Sequence, residues 1–241
     1  MKLYPDGAMA MSGSFLDETI RAVFKGDLHP DHRVRYGTPT AVLETGTFDG
    51  RGSTTFLAMA TFMRGIPVFT IEADPTHWAA ARSNLAIYSH VECLLGHSVP
   101  VARGLEFLRT DPVLQNPDAY PHIYTDDLAH PVETYQLELQ GMLFSMIPKP
   151  KEHRGDDLLR KYLLGIRDAH PFVLLDSAGG LGLLEFEITL EVMGDRPFWL
   201  LLDDVRHVKH FRSLERICQD ESFEVLNVSQ GAHAWALAHR T

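Results

Sequence analysis

The chain is poor in cysteine, lacks any long apolar run, and has too few basic residues to balance its acids. Its two cysteines, Cys93 and Cys218, stand far apart and in no metal-ligand spacing. That excludes a cysteine-built metal centre and the disulfide framework of a small secreted domain, leaving room for one disulfide at most. No stretch approaches the roughly 18 consecutive apolar residues that suggest a membrane span. The opening Met1-Lys2-Leu3-Tyr4-Pro5-Asp6 also lacks the apolar run of a signal peptide, so a reducing cytoplasm is the compartment expected. The 22 Lys and Arg against 32 Asp and Glu leave a formal net charge of -10. A diffuse acidic surface repels phosphate backbones and anionic lipid, so neither nucleic acid nor a membrane is expected as a partner. A small-molecule acceptor is the partner expected, and homo-oligomer formation stays open.

What is present is ordinary globular material: 241 residues, 45% hydrophobic and 22% charged. This suits one domain over residues 1–241, with a helical lead-in over 1–39. Phe15, Leu16, Ile20, Val23 and Phe24 share one face of a helix over Ser14 to Lys25, which Ser12 or Ser14 is placed to cap. Strand then alternates with helix. Strands are expected at Thr40 to Glu44, Pro67 to Glu72, Val91 to Leu95, Pro171 to Asp176 and Pro197 to Asp203. Helices are expected over Ser53 to Arg64 and His77 to Tyr88. Phe223 to Val228 and His233 to His239, joined by Ser229-Gln230-Gly231-Ala232, read as a closing antiparallel hairpin. Such alternation predicts an α/β, Rossmann-like, doubly wound and mostly parallel seven-stranded sheet with a reversed C-terminal strand. Residues 99–170 break the rhythm and are too long for a plain loop. They read as a helical insertion or cap, with helices near Val101 to Leu108, Val132 to Met146 and Asp156 to Arg167.

The sharpest local pattern is Glu44-Thr45-Gly46-Thr47-Phe48-Asp49-Gly50-Arg51-Gly52-Ser53. An apolar strand ends in an acid, and a glycine-rich turn opens a helix. Glycine lets the backbone approach a ligand, and a helix start offers unpaired N–H groups. The spacing is not the dinucleotide fingerprint G-x-G-x-x-G. An acid two residues before the first glycine opposes a pyrophosphate and suits a ligand carrying an ammonium and a sulfonium. Taken alone, the turn is equally well explained as structural. The next strand ends in Glu72-Ala73-Asp74, at the distance where a ribose-binding acid follows such a turn. Asp74 reads as a helix cap. After the third strand comes Gly96-His97-Ser98, where a nucleobase could lie, although plain loop residues would look the same.

These pieces together resemble the class I S-adenosylmethionine-dependent methyltransferases, over residues 40 to 100 and 171 to 241. The resemblance implies that the segment with Glu44, Gly46, Thr47, Phe48, Gly50 and Ser53 lies under the methionine and sulfonium. It implies that Glu72, with Ala73, holds the ribose, that His97 and Ser98 meet the adenine, and that Asp176 also borders the cofactor.

Two further strands stop at aspartates, Asp176 and the pair Asp203-Asp204. In a doubly wound sheet these acids converge on one crevice, where they would repel one another unless protonated or neutralised. Mg²⁺ or another divalent cation with oxygen ligands is one solution. Acids capping the following helices are the competing one. The arrangement is similar to metal-dependent O-methyltransferases of the catechol and sugar-modifying types, in which Asp176, Asp203 and Asp204 would hold the metal. Catechol-type enzymes carry a lysine base three residues beyond the first aspartate, where this chain has Gly179. His207, and after it His210, is the replacement base expected, against a reading of Arg206 to His210 as a solvated helix start. The insertion adds His122, Tyr124, Asp126, Asp127, His130 and Tyr135 as acceptor-pocket candidates. Two other functions compete: an NAD(P)-dependent oxidoreductase, and a binding protein that keeps the nucleoside pocket without turnover.

Overall fold

In the computed structural model, residues 16–120, 122–126, 130–141, 155–231 and 233–241 are described. Ser12, Ser14 and Phe15 of the expected first helix, Asp127 of the insertion and Ala232 of the hairpin turn lie outside them, as does the part of the expected helix beyond residue 141.

Seven strands form one sheet: β1 (Ala41–Thr45), β2 (Val68–Glu72), β3 (Val91–Leu95), β4 (Pro171–Leu175), β5 (Phe198–Leu202), β6 (Phe223–Val228) and β7 (Ala236–Arg240). Their order is β3-β2-β1-β4-β5-β7-β6. Strands β1 to β5 pair in parallel, and β7 runs antiparallel to both β5 and β6. This is the Rossmann-like sheet with a reversed last strand that the alternation implied. Its order reverses between β1 and β4, which opens a crevice outside the carboxyl ends of those strands.

Every residue of β1, β4 and β5 is buried, as expected of parallel strands covered on both faces. Alternation then sorts the side chains. Val42, Phe172, Leu174, Trp199 and Leu201 pack with Ile20, Val23 and Phe24 of α1 (Leu16–Lys25) and Leu57 of α3 (Ser53–Thr61). On this face α2 (His32–Arg35) lays His32 against the Trp199 ring, with 4.9 Å between centroids. Leu43, Val173, Leu175, Leu200 and Leu202 face the other layer. That layer holds α8 (Leu158–Ile166), α9 (Gly182–Met193) and α10 (Phe211–Gln219). Helix α4 (Pro75–Asn84) lies beside β3, with Trp78 on Leu95.

Several boundaries differ from expectation. Helix α4 starts two residues early because Asp74 accepts from the backbone N of Thr76 (2.7 Å) and His77 (3.0 Å), with Pro75 at the first helical position. Strand β7 begins at Ala236 rather than His233. Helix α9 had no periodic signal to read, since it is buried on nearly every side and so carries no single apolar stripe. The segment before α10 is not a solvated helix start: His207, Val208, Lys209 and His210 are all buried.

The insertion divides in two. Helix α8 packs on β1, β2 and α9 and serves as the crossover to β4. Helices α5 (Val101–Thr110), α6 (Pro112–Gln115) and α7 (Pro131–Gly141) pack on one another as a cap. Backbone seams fasten the insertion. His97 N donates to the Gly155 carbonyl (3.0 Å), and Val208 N to that of Tyr124 (3.0 Å). Arg212 ties the cap to α10 through the buried Asp111, 2.7 Å away. Among the described residues no helix is long and apolar enough to cross a membrane, and both cysteines are free.

Candidate cofactor and acceptor site

The turn after β1 is shaped by a contact only glycine permits. Gly46 has φ +84°, and a Cβ there would lie 2.1 Å from the Asp176 carbonyl oxygen. The β1 and β4 loops therefore meet backbone to backbone. Phe48 follows with φ +53°. Its N–H donates to Glu72 Oε2 at 2.7 Å, and that of Asp74 to Glu72 Oε1 at 2.8 Å. Burial pushes the Glu72 carboxyl above the ordinary glutamate range, and these two N–H groups oppose it only in part. Each carboxylate oxygen keeps lone-pair capacity beyond its one backbone donor.

Above this floor lies a cavity of about 540 Å³ at the carboxyl ends of β1 to β4. Gly46, Phe48, Glu72, Ala73, His97, Ser98 and Asp176 line it, together with His77 and, from the cap, Tyr135 and Glu138. The Phe48 and His77 rings stand 4.3 Å apart at its edge.

Glu44, Thr47, Gly50 and Ser53 are not among the lining residues. Strand alternation turns Glu44 to the same face as Val42, toward α3. There its carboxylate accepts from Ser53 Oγ (2.6 Å), Thr54 Oγ1 (2.7 Å) and Thr70 Oγ1 (2.7 Å). Burial drives its pKa up against these three hydroxyls. An acid at this end of α3 also suits the helix dipole. Thr47 pairs its hydroxyl with that of Thr70 at 2.5 Å. Gly50 backs onto Leu85, just beyond α4, where a Cβ would meet Leu85 Cδ1 at 2.8 Å. These four residues build the turn beneath the cavity and do not line it.

Just past the ends of β4 and β5, Asp176, Asp203 and Asp204 offer oxygens that all lie within 4.8 Å of one another. A fourth residue completes the group. Lys209 Nζ sits 3.1 Å from Asp176 Oδ1, 3.2 Å from Asp204 Oδ2 and 3.2 Å from the Ser177 carbonyl. The lysine is 4% exposed. Burial opposes its charge, yet the three aspartates outweigh burial and raise its pKa. Burial also lifts Asp176 well above the carboxylate range, and Asp203 above it. For Asp204, burial is outweighed by Lys209, Tyr124 and His233, and its pKa falls. Tyr124 Oη donates to Asp204 Oδ1 at 2.8 Å, and His233 Nδ1 lies 3.0 Å from the same oxygen.

Three carboxylates suit a hard divalent ion in donor type. As arranged, though, the residues do not fit one, because an ammonium already stands within hydrogen-bond distance of two of the three.

The histidines are placed otherwise than a base requires. His207 is 2% exposed and does not line the cavity. Its Nδ1 accepts from Lys209 N (3.2 Å), so the neutral ring carries its proton on Nε2, which faces Asp126 Oδ2 and Tyr135 Oη, each at 3.3 Å. No lone pair is free for an acceptor. His210 is fully buried, and burial pushes its pKa well below the ordinary histidine value.

The ground that a lysine would hold in the catechol type is covered by the cap. A Cβ on Gly179 would meet Glu138 Oε2 at 2.9 Å, and one on Gly180 would meet Tyr135 Cδ2 at 2.8 Å. Of the expected insertion candidates, Tyr135 lines the cavity, and Tyr124 and Asp126 reach the acid cluster and His207. His122 lies instead against Phe211, with 6.1 Å between ring centroids. Lys209 is a site residue that the sequence does not single out beside His207 and His210. The one available signal was the pair of apolar residues that flank it, Val208 and Phe211, which ask for burial within an otherwise polar stretch.

No protein-family model matches the chain, and no curated protein matches it. Solved structures do. An O-methyltransferase from Bacillus cereus, solved with SAH, is 16% identical with a TM-score of 0.48, over 97% of this chain and 84% of that one. The O-methyltransferase TomG from Streptomyces achromogenes, solved with SAM, is 16% identical with a TM-score of 0.47, over 92% and 79%. A Klebsiella pneumoniae protein described as an O-methyltransferase is 14% identical with a TM-score of 0.46, over 96% and 92%.

Proposed function

We propose that this chain is a methyltransferase that uses S-adenosylmethionine and delivers the methyl to a hydroxyl of a small molecule. The observation that carries the reading is Glu72: a buried carboxylate at the end of β2, fixed by two backbone N–H groups and bordering the cavity. Its remaining lone pairs suit a pair of ribose hydroxyls. Gly46 supports the reading by leaving the cavity floor bare of side chains, and the volume of about 540 Å³ is that of a small-molecule site.

The cofactor supplies a methyl group made electrophilic by its sulfonium. Phe48 and His77 offer aromatic surface at the rim, and His97 and Ser98 the wall beyond β3. Asp176 is the lining acid for the acceptor. One of its oxygens is held by Lys209 Nζ at 3.1 Å, which fixes the carboxylate at the cavity edge, where it can accept the proton of an acceptor hydroxyl.

An NAD(P) site is not favoured. The first-turn hydroxyls of α3 are spent on the chain's own Glu44, and the start of that helix does not border the cavity, so no pyrophosphate cradle is offered.

Calorimetry with pure protein tests the reading. Saturable one-to-one binding of S-adenosylhomocysteine is expected, and no binding of either S-adenosylmethionine or S-adenosylhomocysteine refutes it. Binding without transfer to any hydroxyl acceptor would leave a binding protein in place of an enzyme.

A further inference from the structure

We infer that the ammonium of Lys209 is the resident cation of the Asp176, Asp203 and Asp204 cluster, and that it keeps a divalent ion out. Three clustered carboxylates need a positive charge, and this chain supplies one from within. Lys209 Nζ reaches Asp176, Asp204 and the Ser177 carbonyl at 3.1 to 3.2 Å, so its three donors all have oxygen partners. A divalent ion would need the same lone pairs at a shorter distance, roughly 2.0–2.6 Å. Ion and ammonium therefore exclude each other.

The lysine side chain is enclosed, 4% exposed, and its backbone is held in place as well. Its backbone N is bonded to His207 Nδ1 at 3.2 Å, and the preceding Val208 N is bonded to the Tyr124 carbonyl at 3.0 Å. Its Cβ lies against Gly182 at the start of α9, where an added Cβ would come within 2.8 Å. Lys209 is thus a positioning residue: it fixes the Asp176 carboxylate at the cavity edge and sets the charge of the acceptor end.

The test is Mn²⁺ binding, by calorimetry and by electron paramagnetic resonance, to the full chain and to Lys209→Met. The wild type should show no saturable binding. Removing the cation leaves the three acids unbalanced, so Lys209→Met should bind one Mn²⁺ at least about a hundredfold more tightly, and adding Asp204→Asn should abolish that site. Wild-type binding of one Mn²⁺ that is lost in Asp204→Asn overturns the inference. So does a folded Lys209→Met that binds no better than wild type. If Lys209→Met does not fold, Lys209→Gln takes its place. If neither folds, thermal unfolding of the wild type at about 10 mM Mg²⁺ decides. A saturable rise that Asp204→Asn removes overturns the inference, and no rise supports it. None of these readouts involves the nucleoside ligand, so failure here is distinguishable from failure of the methyltransferase reading.

Discussion

Replacing Glu72 by glutamine changes the charge of the cavity and almost none of its volume. The carboxylate now accepts from Phe48 N at 2.7 Å and Asp74 N at 2.8 Å, one on each oxygen. An amide offers one oxygen, so one of these donors must face an NH₂ group and loses its partner. Leaving a buried donor unsatisfied costs about 1–3 kcal/mol. At roughly 2–4 °C per kcal/mol for a chain of this size, the melting temperature should fall by several degrees. The ligand loses more. Of two ribose hydroxyls donating to a carboxylate, one would meet the amide nitrogen, and a hydrogen bond to a charged group contributes about 1.5–3 kcal/mol. S-adenosylhomocysteine should therefore bind about 10- to 100-fold more weakly, since 1.4 kcal/mol is tenfold. Calorimetry gives the affinity, and thermal unfolding without ligand gives the stability. A variant that melts lower and yet binds S-adenosylhomocysteine as tightly as the wild type would refute the assignment of Glu72 to the ribose.

Two other substitutions probe the floor of the site. Burial raises the Glu44 carboxyl pKa, so between its unfolded and folded values the folded chain binds more protons, and the stability from this group is lost as pH rises through that window. Glu44→Gln should lose less stability than the wild type between pH 5 and pH 8 in urea titrations, because its amide can still bond the Ser53, Thr54 and Thr70 hydroxyls without a buried charge; parallel pH profiles would count against this. Gly46→Ala places a methyl 2.1 Å from the Asp176 carbonyl oxygen at φ +84°. Left-handed backbone costs an L-residue roughly 1–2 kcal/mol and overpacking about 1–3 more, so both the melting temperature and S-adenosylhomocysteine binding should fall, and an unchanged melting temperature would contradict the close approach of the two loops.

Much of this was legible because the signals are local. Five-residue apolar runs bounded by polar turns mark the parallel strands, and Asp74-Pro75 carries the capping chemistry of α4 within itself. Glu72 can be located by counting from the glycine-rich turn. The direction of Glu44 was legible in principle, since alternation from Val42 turns it toward α3, but proximity to the glycines drew it into the ligand site instead. His207 was selected for its type. Its Nδ1 meets the backbone N–H of Lys209 two residues on, but its Nε2 faces Asp126 and Tyr135, more than 70 positions away.

The sequence by itself determined the order of strands and helices, the acids at the strand ends and the turn that needs glycine, because each depends on a few neighbouring residues. Only the tertiary structure decided how those acids are neutralised. Charge balance in a buried cluster depends on which group comes within about 3 Å, and no spacing along the chain marks Lys209 as that group. Folding brings it back from beyond β5 to the Asp176 carboxylate, 33 residues earlier in the chain, and beneath a cap whose Tyr124 reaches Asp204 across 80 residues.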